Sequence, residues 1–252
     1  MSDRCKNFRL NSHNRYWWHR APDTDYDPLL YSFMNEDEWN LMRDWFQDTE
    51  SKYTSTGEAN IPPLSFLFGL ISGNALSRIV QLGHYVGYST LLIGFLLRRM
   101  GKNNSLFSID IDPEVTNYTA HWLSKAHLNS QCVLRIADSA DSSLPESARK
   151  YFGGESPQLV FIDSSHQYEH TLKEMDLWYD ALTKGGFMVL HDTSKFASQF
   201  DSTGKGGVLR GVAEWCALNG RNALMLNSFV EGGKPGDQPY LDGCGLAVLQ
   251  KN

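Results

Sequence analysis

From about residue 77 onward, short apolar runs alternate with segments of helical length. Runs rich in β-branched and aromatic residues occupy 78–82, 106–111, 132–137, 158–163 and 187–191. Between them, residues 88–100, 113–126, 144–151 and 168–182 have the length and apolar spacing of helices. Nearly continuous apolar strands that alternate with helices are typical of a parallel sheet covered on both faces. The sequence therefore predicts an α/β fold with a mostly parallel, doubly wound sheet.

The two ends of the chain depart from this alternation. A helical segment at 208–218 is followed by two further apolar runs, 223–229 and 245–250, which are joined by a loop rich in Gly and Pro. This arrangement predicts an antiparallel C-terminal hairpin and brings the sheet to seven strands. Residues 1–75 show no strand alternation, and we expect them to form a helical cap or lid on a sheet domain of residues 76–252.

Two helical patterns define the expected cap. Residues 32–48 place three aromatic side chains and a methionine at helical spacing, and a pair of prolines opens a second helix at 63–73. Trp39 and Trp45 are expected in the core of this cap. Trp17 and Trp18 could line an aromatic pocket or join the same core.

The composition bears on whether the protein binds nucleic acid or a membrane and on its cellular compartment. The chain has 252 residues, of which 41% are hydrophobic, and its net charge of −6 gives no support to nucleic-acid binding through broad phosphate neutralisation. The four Cys include no C-x-x-C pair and are interpreted as reduced intracellular thiols. No apolar signal region precedes residue 14, and the apolar stretch at 61–71 is too short to span a bilayer. We therefore expect a soluble cytoplasmic protein without a membrane partner.

Candidate chemistry is expected at the carboxyl ends of the strands, where open parallel sheets bind their ligands. The first strand runs into the sequence QLGHYVGYST, in which Gly83 and Gly87 lead from a strand into a helix. The spacing fits neither G-x-G-x-x-G nor the P-loop. Taken alone, these two glycines are equally typical of an ordinary strand-to-helix turn.

The second and third strands end in acidic residues. A carboxylate at Asp110 can accept hydrogen bonds from both ribose hydroxyls of a nucleoside, whereas Asp112 is placed to cap the helix that Pro113 begins. At the end of the third strand, Asp138 and Ser139 could contact a base or form only a polar turn.

The fourth and fifth strands bring acidic residues and histidines together. Asp163 and His166 follow the fourth strand, and His191 and Asp192 end the fifth. Carboxylate oxygens suit a hard cation such as Mg²⁺, and a nearby histidine could act as a base. A histidine taken alone is better explained as a structural residue, so it is the joint position at neighbouring strand ends that favours a site.

Residues 77–192 resemble the class I methyltransferases that depend on S-adenosylmethionine (SAM), which have a Rossmann-like fold. The resemblance is carried by QLGHYVGYST, FSIDIDPE, ADS, LVFIDSSHQYE and LTKGGFMVLHDT, and the last two blocks are its most specific part. Within the class, the chain is most similar to the small-molecule O-methyltransferases that include antibiotic-sugar methyltransferases and cephalosporin-hydroxylase-like proteins. The resemblance implies methyl transfer to a hydroxyl of a small molecule by an enzyme of a kind that is often oligomeric.

The resemblance also implies roles for individual residues around SAM. Gly83 and Gly87 would border its methionine and adenosine parts, Ser89 would lie near its carboxylate, Asp110 would bind the ribose, and Asp138 with Ser139 would approach the adenine. Gln81 stands where the family usually has an acidic residue facing the ammonium group of SAM. This position therefore loses a charge but keeps a hydrogen-bond acceptor.

A divalent metal, Mg²⁺ by the family's pattern, would be held by Asp163 and Asp192 with His191 beside them. His166 is found where related sugar methyltransferases have a general base. His191 takes the place of a carboxylate in the metal pair, and a neutral imidazole favours Zn²⁺, Fe²⁺ or Mn²⁺ more than Mg²⁺.

Three alternatives stay open beside this interpretation. The missing charge at Gln81 would also fit a degenerate SAM-binding protein without transfer activity. The pattern His166-x-x-Glu169-His170 matches the H-x-x-E-H signature of a zinc hydrolase, which requires both histidines on one face of a helix. A nicotinamide-dependent dehydrogenase shares the alternation of strands and helices, but the missing G-x-G-x-x-G argues against it.

Overall fold

The fold is built on one seven-stranded sheet. The computed structural model describes residues 28–53, 55, 57–231 and 238–252. The strands are β1 (Ile79–Leu82), β2 (Leu106–Asp110), β3 (Cys132–Ile136), β4 (Leu159–Ile162), β5 (Phe187–His191), β6 (Leu224–Leu226) and β7 (Leu246–Gln250), in the order β3-β2-β1-β4-β5-β7-β6. The first five are parallel, and β7 lies antiparallel to both β5 and β6. The predicted Rossmann-like sheet with its C-terminal antiparallel hairpin is confirmed.

Helices cover both faces of this sheet. They are α1 (Leu29–Ser32), α2 (Glu36–Lys52), α3 (Ile61–Gly73), α4 (Tyr88–Arg99), α5 (Pro113–Lys125), α6 (Leu144–Tyr151), α7 (Tyr168–Ala181) and α8 (Gly207–Asn219), with a 3-10 turn at Ala197–Phe200. Neighbouring residues of a strand point to opposite faces. Accordingly, Ile79 packs with α2 to α5 on one face, whereas Val80 packs with α6 to α8 on the other. This two-sided burial is the reason that the strands are apolar throughout.

The helix predicted at 32–48 and the strand predicted at 223–229 depart most from their expected bounds, since α2 spans Glu36–Lys52 and β6 spans Leu224–Leu226. Helix α2 begins at Glu36 instead of residue 32 because Asn35 forms a capping box, in which its side chain accepts from Glu38 N and Glu38 accepts from Asn35 N. Strand β6 ends at Leu226 instead of residue 229. The chain turns away at Asn227, whose φ is +60° and whose side-chain amide donates to the carbonyls of Tyr240 and Asp242.

The helices that precede β1 share one hydrophobic core with the sheet. Trp39 and Trp45 are buried in the same cluster as Tyr88 and Leu91 of α4, and Trp45 Nε1 donates to the carbonyl oxygen of Val86 at 2.9 Å. Burial of a large apolar side chain contributes about 1.5–3 kcal/mol, so this packing fixes α2 firmly over the β1–α4 turn. Trp17 and Trp18 lie outside the described residues, and the division at residues 75 and 76 stays a prediction. Among the described helices, none has the length and apolar character needed to cross a membrane.

Candidate active site

A cleft of about 500 Å³ opens at the carboxyl ends of β1 to β4. Six of the predicted site residues line it: Gly83, Asp110, Asp138, Ser139, Asp163 and His166. They come from four different strand ends, and the strand order brings them together, since β1 lies between β2 and β4 at the centre of the sheet. Parallel sheets bind ligands at this reversal of strand order, so the cleft is the candidate active site.

The turn after β1 is shaped by close backbone contacts. Gly83 has a φ of +82°, and a Cβ atom there would lie 2.0 Å from the carbonyl oxygen of Asp163. Only glycine fits at this approach of the two strand ends. The next two amides, His84 N and Tyr85 N, donate to Asp110 Oδ2 at 3.0 and 2.9 Å. Asp110 therefore organises the turn and lines the cleft at the same time.

The three remaining cofactor candidates lie beside or behind the cleft. Gln81 is fully buried and bonded to Ser89, Thr90 and Ser108, so it is not among the lining residues. Gly87 precedes α4, and a Cβ atom there would contact Thr119. Ser89 lines a small recess next to the cleft, which it shares with Gly83 and Asp163. The uncharged Gln81 side chain thus serves to fix Ser89 and Thr90 at the start of α4.

His166 is joined to Asp192 across the edge of the cleft. Its Nε2 atom lies 3.0 Å from Asp192 Oδ2. The hydrogen bond to Asp192 raises the pKa of His166 above its ordinary value, against a smaller effect of burial. Asp192 is buried and has a φ of +60°, a backbone conformation that is costly for a residue other than glycine. A strained, buried carboxylate that orients a half-exposed histidine is typical of a functional site.

His191 lies behind the cleft among three carboxylates. Its Nδ1 atom is 3.0 Å from Asp163 Oδ1 and 3.5 Å from Asp192 Oδ2, and its Nε2 atom is 3.3 Å from Asp242 Oδ2. Burial lowers the pKa of His191, but the surrounding carboxylates of Asp192, Asp242 and Asp163 outweigh it and hold the pKa well above the ordinary value. Of the three predicted metal ligands, only Asp163 lines the cleft, and the other two are buried beside it.

Asp242 and Cys244 belong to this cluster and were missed in the sequence. Asp242 is fully buried and accepts from Asn60 Nδ2 at 3.2 Å, and Cys244 follows two residues later. Burial raises the pKa of the Cys244 thiol. Both residues lie in the loop before β7, where no periodic pattern marks them, and only the antiparallel pairing of β5 with β7 brings them to the end of β5.

A second polar cluster lies at the other end of the cleft. The Ser139 and Ser164 hydroxyls both donate to Glu174 Oε1, and His170 Nε2 lies 3.3 Å from the same oxygen. Glu174 is fully buried, and its hydrogen bond raises the pKa of His170. His170 and Glu174 are four residues apart on α7 and so share one helix face, which is the signal that the sequence offered for this pair.

The H-x-x-E-H pattern does not form a common site. His166 precedes α7 and contacts Asp192, whereas Glu169 pairs with Lys205 and His170 contacts Ser139 and Glu174. The three side chains thus have different partners. This geometry removes the structural basis of the zinc-hydrolase alternative.

The strand order and the cleft at the strand ends are those of a Rossmann-like α/β domain. Residues 80–193 match the model of a methyltransferase domain family. This match, which runs from β1 to just beyond β5, confirms the resemblance and the enzyme class stated from the sequence. No curated protein matches the chain.

Solved structures with the same fold include several methyltransferases. The O-methyltransferase of Bacillus cereus in complex with SAH is 13% identical, with a TM-score of 0.63 over 88% of this chain and 94% of that one. The O-methyltransferase TomG of Streptomyces achromogenes in complex with SAM is 17% identical, with a TM-score of 0.62 over 87% and 91%. The SAH-bound methyltransferase PaMTH1 of Podospora anserina is 12% identical, with a TM-score of 0.63 over 98% and 93%. At these identities the likeness establishes the fold.

Proposed function

We propose that the protein is a SAM-dependent methyltransferase that transfers a methyl group to a hydroxyl of a small molecule. The observation that carries the proposal is the convergence of Gly83, Asp110, Asp163 and His166 on one open cleft. The methyltransferase domain match and the SAM- and SAH-bound structures of the same fold support the choice of cofactor.

Three features of the cleft support SAM as its ligand. Gly83 adds no side chain to the floor of the cleft where the ends of β1 and β4 meet. The carboxylate of Asp110 retains lone pairs for ribose hydroxyls although its oxygens also hold the turn. Asp138 and Ser139 also line the cleft, which supports the proposal that they contact the adenine. A volume of about 500 Å³ leaves room for a small acceptor beside a nucleoside.

The chain's own residues would position the two reactants and provide a group that accepts the proton. Bound SAM supplies an electrophilic methyl group on a positively charged sulfur. His166, on the wall of the cleft, would accept the proton of the acceptor hydroxyl, and Asp192 would orient its imidazole and favour the protonated form after transfer. Bringing the two reactants together in one cleft is the larger contribution, on the order of 7–11 kcal/mol in favourable cases.

The predicted Mg²⁺ finds a poor set of ligands here. Mg²⁺ prefers oxygen ligands in octahedral geometry, whereas His191 places an imidazole between Asp163 and Asp192, and a thiol lies beside them. Mg²⁺ therefore has no role in the proposed reaction. A magnesium-free preparation is expected to bind SAH as tightly as one supplied with Mg²⁺.

Ligand binding followed by turnover tests the proposal. SAH is expected to raise the melting temperature, while NAD does not, and the protein is expected to methylate at least one member of a panel of sugars, phenols and other hydroxylated metabolites. Stabilisation by NAD and not by SAH would overturn the proposal in favour of a dehydrogenase. SAH binding without transfer to any acceptor, including amines, would favour the degenerate SAM-binding protein.

A further inference from the structure

Residues between α2 and α3 form part of the cleft and of the small recess beside it. Gly57 lines both, and Glu58 and Ala59 line the recess. A Cβ atom on Gly57 would lie 3.2 Å from the Tyr85 ring, so the chain packs directly on the turn after β1 at this point. The expected N-terminal cap therefore contributes a carboxylate to the surroundings of the candidate active site.

Hydrogen bonds on both sides of Glu58 hold this part of the chain in place. Before it, the carbonyl oxygen of Ser55 accepts from the Tyr85 hydroxyl at 2.9 Å. After it, the side-chain amide of Asn60 donates to Asp242 Oδ1 at 3.2 Å. The position of Glu58 beside the cleft is therefore set by the turn after β1 and by the loop before β7.

The recess has a size and a charge that suit a small cation such as an ammonium group. Its volume is about 10 Å³, roughly the space that one water-sized group needs. The carboxylates of Glu58 and Asp163 line it together with Ser89, and Asp163 Oδ1 is already bonded to His191 Nδ1 at 3.0 Å. Glu58 Oε2 accepts from Gly57 N at 3.1 Å. Because a carboxylate offers about four acceptor sites, this bond does not exclude a further donor.

Strand β1 places an uncharged side chain behind Ser89. Gln81 is fully buried, its Nε2 atom donates to Ser89 Oγ at 2.7 Å, and its Oε1 atom accepts from Thr90 Oγ1 at 2.9 Å. These bonds use the Gln81 amide inside the protein. An ammonium group bound beside Ser89 would therefore find its negative partner among the side chains that line the recess and not on β1.

We propose that Glu58 binds the ammonium group of SAM. The adenosine would occupy the larger cleft, which Asp110 and Asp138 line, and the amino-acid end would extend into the recess beside Ser89. A hydrogen bond between an ammonium group and a half-buried carboxylate is charge-assisted and about twice as strong as a neutral one. The inference rests on the proposed function, because it names a contact of SAM bound in the same cleft.

Calorimetry with two ligands tests this contact. SAH carries the ammonium group, whereas methylthioadenosine has the same nucleoside and a thioether but no amino-acid group. We expect Glu58→Gln, which removes the charge but keeps the size of the side chain, to weaken SAH binding at least about tenfold. The Kd for methylthioadenosine should stay unchanged. Glu155→Gln, which changes an exposed glutamate outside the cleft and the recess, is the matched control and should alter neither Kd.

A second variant keeps the test decisive if Glu58→Gln fails to fold by circular dichroism. Glu58→Asp retains the charge but withdraws it by one methylene group, so it should weaken SAH binding less than Glu58→Gln does and leave methylthioadenosine binding unchanged. An unchanged Kd for SAH in a folded Glu58→Gln variant, or an equal loss of affinity for both ligands in either variant, would overturn the contact and leave the proposed function standing. A wild-type protein that binds neither ligand would overturn both.

Discussion

His166 Nε2 lies 3.0 Å from Asp192 Oδ2, and this contact joins the wall of the cleft to a buried carboxylate at the end of β5. The two residues follow different strands, β4 and β5, which lie side by side in the sheet. The pairing of these strands therefore places the histidine and its partner at one edge of the cleft.

Replacing His166 tests its role as the proton acceptor. We expect His166→Ala to lower kcat by roughly 10²–10⁴-fold while the Kd for SAH stays unchanged, because the residue acts on the acceptor and not on the cofactor. Turnover assays and calorimetry measure the two effects separately. His121→Ala, which removes an exposed histidine of α5, is the matched control and should be neutral. A His166→Ala variant with wild-type kcat would remove His166 from the reaction.

Two neighbouring aspartates should behave differently. Asp110→Ala removes the acceptor of the His84 and Tyr85 amides and the proposed ribose ligand, so SAH binding should weaken about 10–100-fold, which is what a lost hydrogen bond to a charged group costs. Asp112→Ala removes only the cap that accepts from Glu114 N, so it should cost about 1 kcal/mol of stability and leave the Kd unchanged. Equal Kd values for the two variants, measured by calorimetry, would contradict the assignment of Asp110.

Gly83 should tolerate no side chain. In Gly83→Ala, a Cβ atom 2.0 Å from the Asp163 carbonyl would force the ends of β1 and β4 apart, and the left-handed backbone would add about 1–3 kcal/mol of strain. We expect a lower free energy of unfolding and loss of SAH binding. Gly69→Ala is the control, because this glycine lies inside α3 with open space around it, and there alanine should stabilise by about 0.5–1 kcal/mol. Denaturant unfolding measures the two changes in the free energy of unfolding, which should have opposite signs.

Glu174 should affect SAH binding indirectly, by holding the Ser139 side chain in place. Glu174→Ala leaves the Ser139 and Ser164 hydroxyls without their common acceptor, which should cost about 1–3 kcal/mol of stability and weaken SAH binding. Glu174→Gln keeps an acceptor oxygen and should restore most of the affinity. If both variants bind SAH as tightly as the wild type, Glu174 has a purely structural role.

His84 should make the protein less stable in acid. It is buried between Ser108 Oγ and Thr116 Oγ1, both at 3.0 Å, and burial lowers its pKa from 6.5 to about 4. Between pH 4 and pH 6.5, His84 is therefore protonated in the unfolded chain but neutral in the folded protein. The neutral, buried His84 makes its full contribution to the free energy of unfolding above pH 6.5. This contribution falls as the pH drops towards 4, and the total loss is about 3 kcal/mol. His84→Gln should show a shallower fall when unfolding is followed across this range, and an unchanged slope would contradict the prediction.

The local pattern of residues was sufficient to predict most of the architecture. Strands β1 to β5 correspond to the apolar runs at 78–82, 106–111, 132–137, 158–163 and 187–191. Strands that are buried on both faces consist mostly of apolar residues, so they can be recognised from the sequence. The positions of Asp110, Asp163 and His166 at strand ends followed from the same pattern, since a strand end is a local feature and parallel strands collect their ends at one edge.

Only the tertiary structure decided which side chains became partners. The Gln81 side chain bonds to Ser89 and Thr90, because its place in β1 directs it to the face of the sheet that α4 covers. Asp242 and Cys244 reached His191 through the pairing of β5 with β7, a contact between segments distant in sequence. A hydrophobic period of two or of 3.6 residues indicates burial within one segment. Ion pairs between distant segments depend instead on strand order and on the path of a loop, and neither leaves a periodic signal in the sequence.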